Sequence, residues 1–411
     1  MSRRIFQLWL DMPRGVRLFF VSESLYGLAI GLYTLVLNLH LLSRGLSEQQ
    51  LGSILSIGIL IMGGTAVPVS RLANRFGRKI ILVTGISCTA MGSLMYGIGQ
   101  SFNVFLAAQA MMSLGFTLVE SSEVQLLFGY CKDKREETRS FNGMVATYTL
   151  FTAIGILAGG ILPEWLSGSA DSYGSTLVAA ACLLAVLAVF RAVWLPKEQI
   201  AVTQMVLLDA TGTAEVGNSH GDSHRLRVLI GFAFISGLAI SVIVPYVNII
   251  VKFRMDWSDQ QVSYLLGASN LVICMVSLVV PILLHKYAAH KLFLWGYIAN
   301  IVVSCMLVIA LPAIAFVLMM LARGGLFALL NSMIDSQSMS AIGENGRNTY
   351  AGSRIVSRSV GSAISVFGAG LILAGSHYEL PFLLAAVLMT VSFMYYNKWV
   401  KPIINSMHIK R

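Results

Sequence analysis

Ser70-Arg-Leu-Ala-Asn-Arg-Phe-Gly-Arg-Lys79 gathers four cations, Arg71, Arg75, Arg78 and Lys79, into ten residues, with Gly77 as the break. The stretches 51–69 ahead of it and 80–99 behind it are mostly apolar. Each is close to the roughly 20 residues that an α-helix needs to cross a bilayer. A short, strongly basic turn between two such stretches stays on the cytoplasmic side, where anionic lipid and the insertion machinery hold Lys and Arg. The turn therefore predicts a membrane protein and sets the orientation of the whole chain.

The composition agrees. Of 411 residues, 56% are hydrophobic and 12% charged, against roughly 25% charged in a soluble domain. The net charge of +10 does not indicate a nucleic-acid partner, because the cations are spread over short loops instead of lining one face. Cys88, Cys131, Cys182, Cys274 and Cys305 lack metal-ligand spacing, so neither a metal nor a disulfide is expected. The N-terminal charges run to Arg17 without a following cleavage signature, so the first apolar stretch reads as a retained span.

Membrane-length segments fall near 17–41, 51–69, 80–99, 103–128, 141–163 and 174–195, then near 228–251, 260–283, 292–310, 312–335, 349–373 and 380–398. Twelve spans put both termini on one side. The segments on that side hold 25 of the 29 Lys and Arg, whereas the opposite loops hold Arg44, Lys252 and Arg254. The expected placement is the cell membrane with both termini cytoplasmic. The expected organisation is a six-helix half at 1–195, a hydrophilic cytoplasmic linker at 196–227 with one short surface helix around 201–209, and a second half at 228–411.

The halves repeat. Gly27-Leu-Ala-Ile30 returns as Gly237-Leu-Ala-Ile240, Asn38 as Asn248, and Leu46-Ser-Glu-Gln-Gln-Leu51 as Trp257-Ser-Asp-Gln-Gln-Val262. The basic turn has a faded echo in His285-Lys-Tyr-Ala-Ala-His-Lys291, and the offset stays at 210 to 212. Two halves in the same orientation imply a pseudo-two-fold axis along the membrane normal and a substrate site between them near mid-membrane.

With these features the chain resembles the major facilitator superfamily over nearly its whole length. The family's turn after the second span reads approximately G-x-L-a-D-r-x-G-r-k, and Leu72, Ala73, Arg75, Gly77, Arg78 and Lys79 match it. Ser70 stands for the leading Gly and Asn74 for the acid that, in the family, joins a charge network closing the cytoplasmic side. The resemblance makes Asn74, Arg75, Gly77, Arg78 and Lys79 a gating motif with a weakened lock. In the fourth span Gln109 occupies the place where many proton-coupled members carry Arg. In the fifth, Gly155-Ile-Leu-Ala-Gly159-Gly160 keeps the small residues of drug antiporters without their Pro, leaving small-x3-small spacing for close helix contact.

Ionisable residues inside spans cost about 2.5–3.5 kcal/mol each even on a lenient scale, so each needs a reason. Glu23, two turns into the first span and flanked by Ser22 and Ser24, is a candidate proton carrier, with a structural pair to an Arg as the alternative. Glu120 and Glu123 lie three apart on one helix face, either exchanging protons or solvated at the interface. Arg323 sits in mid-span and requires an acceptor, either Glu23 across the cavity or an anionic substrate. Arg354 and Arg358 share a face, with Arg358 the deeper. Tyr26, Tyr33, Asn38, Tyr246, Asn248 and Asn270 are the uncharged candidates for lining a cavity, and Pro245 is placed to bend the seventh span.

The expected function is proton-coupled export of a small organic molecule by alternating access, by a monomer without a cofactor. The alternatives are uptake of an anionic metabolite or sugar, with Arg323 and Arg358 holding the anion, and a transporter-like sensor without flux. Enzyme activity is not expected, since no nucleophile, metal or cofactor constellation stands in a hydrated loop.

Overall fold

A computed structural model of the chain describes residues 12–165, 171–196, 220–287, 289–340 and 347–408. The described residues form helices and turns and no strand. The first half contains α1 (Arg14–Ser43), α2 (Glu48–Phe76), α3 (Arg78–Ile98), α4 (Phe102–Gly129), α5 (Lys134–Trp165) and α6 (Ser172–Trp194). The second contains α7 (His220–Ser241) and α8 (Val247–Met255), which share one span, then α9 (Asp259–Lys286), α10 (Ala289–Met306), α11 (Ala313–Ser340), α12 (Arg347–Leu373), α13 (Leu380–Tyr395) and α14 (Lys401–His408). The expected helix at 201–209 lies outside the described residues.

Among the described residues, eleven helices are long and apolar enough to cross a membrane, and the ninth expected span, α10, ends at Met306. That end has a local cause. The chain leaves the helix through two turns, Val308 N–H donating to Cys305 O and Ile309 N–H to Met306 O, and Pro312 follows. The expected 292–310 had counted these apolar turn residues as helix.

The repeated motifs turn out to be structural devices. Ser47 and Ser258 each cap a helix, their hydroxyls accepting from Gln50 N–H and Gln261 N–H, while those Gln side chains accept from the cap residues' own N–H groups. Gly27 and Gly237 are crossing points. A Cβ at Gly27 would lie 2.6 Å from Tyr148 O on α5, and one at Gly237 would lie 2.3 Å from Arg358 O on α12. Tyr148 and Arg358 are themselves 210 apart, so each half has the same backbone-to-backbone joint. In the basic turn, Gly77 takes φ +91° between α2 and α3, a conformation that a side chain would resist.

The seventh span breaks where the sequence places Pro245. Having no N–H, Pro245 interrupts the helical ladder, and Val244–Tyr246 forms a single 3₁₀ turn between α7 and α8. The halves meet along α2 against α12, α5 against α9, and α1 against α8. A buried apolar cluster including Tyr33, Leu37, Met112, Tyr246, Met320 and Val366 joins them toward the end of the bundle away from the chain termini, here called the far end.

Candidate functional site

Arg191, near the end of α6, anchors a polar cluster inside the first half. Its Nη2 donates to Glu23 Oε2 at 2.6 Å, its Nη1 to Glu123 Oε1 at 3.2 Å and its Nε to Ser22 Oγ at 3.0 Å. The Arg191 side chain has no exposed surface, and those of Glu23 and Glu123 have 2% and 12%. Its guanidinium also lies 5.0 Å from the centre of the Phe19 ring and 5.7 Å from that of Tyr26. Phe19, Ser22, Glu23 and Tyr26 follow the i, i+3, i+4, i+7 spacing of one helix face, which is why α1 alone supplies four contacts. Tyr148 on α5 completes the wall, its ring 5.8 Å from that of Tyr26.

This changes the sequence-based pairing. Glu23 is bound to Arg191 and not to Arg323. By its place beside the linker Arg191 counts among the 25 Lys and Arg of the terminus side, yet it shares a buried stripe with Leu184, Leu187 and Ala188. Those residues, three, four and seven positions earlier, were the available signal. Glu120 and Glu123 also part company: Glu123 bonds to Arg191, whereas Glu120, one turn earlier, is exposed.

Arg323 on α11 is 5% exposed, and its Nε and Nη2 have no hydrogen-bond partner among the described residues. It follows Met320, a member of the cluster joining the halves, by three residues, on the same helix face. Arg358 donates to Asn331 Oδ1 at 2.5 Å. Gln109 links Tyr96 and Ser113, accepting from Tyr96 Oη at 2.5 Å and donating to Ser113 Oγ at 3.2 Å.

The uncharged candidates divide by depth. Asn38 Nδ2 donates to Asn248 Oδ1 at 3.0 Å and to Pro245 O at 2.6 Å, and Asn248 Nδ2 donates to Leu35 O at 2.8 Å. Each Asn thus reaches the carbonyl three residues ahead of the other. Tyr246 is fully buried, its hydroxyl donating to Val366 O at 2.8 Å. Outside this layer, Tyr173 donates to Asp259 at 2.5 Å, Lys252 pairs with Asp259, and Gln260 donates to Glu164 at 2.6 Å. The Tyr173 and Gln260 bonds cross between the halves at the far end, while Lys252 pairs with Asp259 within the second half. Tyr33 lies five residues from Asn38 toward the termini, 7% exposed and edge-on to Phe116. Asn270 is half-buried, its amide directed at Leu266 O.

In the basic turn, Lys79 donates to Leu195 O at 2.6 Å and Arg78 to Gln125 O at 3.4 Å, tying the turn to the ends of α6 and α4. Arg75 lies over Phe76, and Asn74 is exposed. The described residues contain no group of three or more His, Cys, Asp or Glu able to hold a metal.

Comparison with known proteins gives a consistent result. The chain is 28% identical over 113 residues to the methylenomycin A resistance protein of Bacillus subtilis, covering 28% of this chain but 23% of that one. It is 23% identical over 289 residues to the multidrug resistance protein MdtL of Vibrio parahaemolyticus, covering 69% of each. Among solved structures, a mutant form of the nucleoside transporter NupG superposes with a TM-score of 0.73 at 15% identity, covering 93% of this chain and 99% of that one. The sequence profile of the Major Facilitator Superfamily matches residues 18–366, and the chain belongs to that family of membrane transporters.

Proposed function

We propose that the chain exports a small organic molecule from the cytoplasm by proton-coupled alternating access, as a monomer in the cell membrane with both termini inside. The cluster of Glu23, Glu123 and Arg191 carries this reading. Two carboxyls face one guanidinium, so the group reaches neutrality by holding one proton and acquires a negative charge on releasing it. A proton that can be taken up and released beside a moving helix is the requirement for coupling. The excess of Lys and Arg at the terminus end supports the orientation. With that orientation, the bonds around Asn38 and Asn248 lie at the outer end of the bundle and hold it closed there. The resistance named in both relatives favours efflux.

The test is a screen of drug-like compounds for thermal stabilisation of the purified protein, followed by flux in energised inverted vesicles. A compound that binds is expected to collapse the pH gradient, and Glu23→Gln is expected to abolish that effect. Full coupled transport by Glu23→Gln would remove Glu23 from the mechanism. Binding without flux would instead identify a sensor.

A second reading rests on Arg323. A buried guanidinium whose Nε and Nη2 have no partner among the described residues favours an anionic ligand group, and with it uptake of an anionic metabolite or sugar. In that case Arg323→Ala loses stabilisation by carboxylate and phosphate compounds but keeps it by neutral ones.

A further inference from the structure

A notch of about 200 Å³ lies at the terminus end of the second half, lined by Lys291, Leu294, Phe393, Tyr396, Asn397 and Lys401. It stands well apart from the cluster around Arg191, and it is smaller than the roughly 300–1,000 Å³ typical of a drug-sized ligand site. A departure from regular helix shapes it. Tyr396–Val400 follows α13 as one turn of π-helix, closed by the Lys401 N–H donating to Tyr396 O, five residues back. Such single wide turns recur at functional sites. Here the turn brings Asn397 and Lys401 to the notch, while Tyr396 packs its ring 4.3 Å from Phe293 and joins the turn to α10.

Two observations indicate the occupant. Lys291 and Lys401 come from different helices to one notch, and neither is paired with a carboxylate among the described residues. The surrounding surface is apolar and exposed: Trp295 and Met394 are 65% and 64% accessible, and Ile298 and Trp399 are also exposed. In a membrane transporter such a surface faces lipid, and Trp399, with Lys398 stacked over it at 4.7 Å, has the character of a residue at the headgroup level. The notch therefore has a cationic rim, an amide, and an apolar floor formed by Leu294 and Phe393, beside that exposed apolar surface. We propose that it binds the phosphate headgroup of an anionic phospholipid, with the two ammonium groups on the phosphate and the floor against the start of an acyl chain. The inner leaflet, where the proposed orientation places this end, is the anionic one.

The full chain, purified in a neutral detergent, is titrated with dioleoyl phosphatidylglycerol or dioleoyl phosphatidylcholine in mixed micelles, and bound lipid is counted by native mass spectrometry. Phosphatidylglycerol is expected to bind in preference to phosphatidylcholine. Lys291→Gln with Lys401→Gln is expected to weaken that binding about thirtyfold, given the usual worth of one cation near a membrane surface, and Lys→Arg at both positions is expected to restore it. Lys291→Gln alone gives an intermediate loss and serves if the double variant does not fold. Equal phosphatidylglycerol binding by wild type and the Gln variants overturns the proposal. Displacement of the lipid by inorganic phosphate at matched concentration also overturns it, since the notch would then be a site for free anions.

Discussion

Arg191 and Glu23 meet at 2.6 Å where neither side chain has more than 2% of its surface exposed, and Arg191 serves Glu123 from the same guanidinium. Removing the cation strands two carboxyls. Arg191→Met is therefore expected to destabilise the protein by about 3–5 kcal/mol, the usual consequence of orphaning a buried charge. Thermal unfolding in detergent measures this. Adding Glu23→Gln and Glu123→Gln to that background is expected to recover most of the loss. Glu23→Gln alone keeps an oxygen for Arg191 to donate to and is expected to fold normally while losing coupled flux.

Asn38 and Asn248 are expected to be energetically coupled. Each Ala variant breaks bonds made by the other partner, so the double variant should cost less than the sum of the singles, with an interaction of about 0.5–3 kcal/mol. The same variants are expected to raise the labelling rate of a cysteine introduced at Leu37. Additive losses, with unchanged labelling, would show that the pair does not close the far end.

Arg323 gives a prediction of the opposite sign. A buried guanidinium with two nitrogens unpartnered among the described residues is a cost carried by the resting protein, so Arg323→Met is expected to raise thermal stability by about 1–4 kcal/mol, as replacing buried charge by apolar groups often does. If function explains the residue, the stabilised variant should also be inactive. Stabilisation together with full activity would make Arg323 incidental.

Much of the architecture was legible because it is written in helix-scale signals. The two Ser-x-x-Gln caps and the break at Pro245 each follow from a few neighbouring residues, and Gly27 and Gly237 show as a repeat, although their crossings depend on Tyr148 and Arg358 far along the chain. The site was less so. Glu23 could be singled out as a charge within a span, but its partner sits on α6, 168 residues later, and looked like a loop charge by its position in the chain. Burial of Arg191 depends on which face of α6 turns inward, and linear spacing to the linker does not report that. Asn38 and Asn248 were visible as a repeat; that they bind each other depends on how the halves dock.

The basic turn supplies a fourth prediction. Two of its four cations, Lys79 and Arg78, are anchored at Leu195 O and Gln125 O, but Asn74 is exposed and uncharged. Asn74→Asp restores an acid next to Arg75 and Arg78 and is expected to favour closure of the terminus end. A shortened distance between spin labels on the ends of α2 and α11 would show it; an unchanged distribution would refute it.

The tight crossings supply a fifth. A Cβ at Gly31 would stand 2.3 Å from Thr152 O, and one at Gly155 2.2 Å from Leu28 O, backbone contacts that no rotamer change relieves. Gly31→Val is expected to cost more than the 1–3 kcal/mol typical of overpacking, whereas Gly64→Ala, with open space around it, should be tolerated. Expression level and thermal midpoint distinguish the two.

The Asn38–Asn248 contact is made of amides and carbonyls alone. Opening it moves no net charge through the membrane field, where each elementary charge would feel about 2.3 kcal/mol per 100 mV, and it takes up or releases no proton. This innermost latch of the far end is therefore indifferent to voltage and pH. In the proposed mechanism the energy of the membrane reaches it only indirectly, through the cluster of Glu23, Glu123 and Arg191, which meets the same helix α1 nearer its N-terminus.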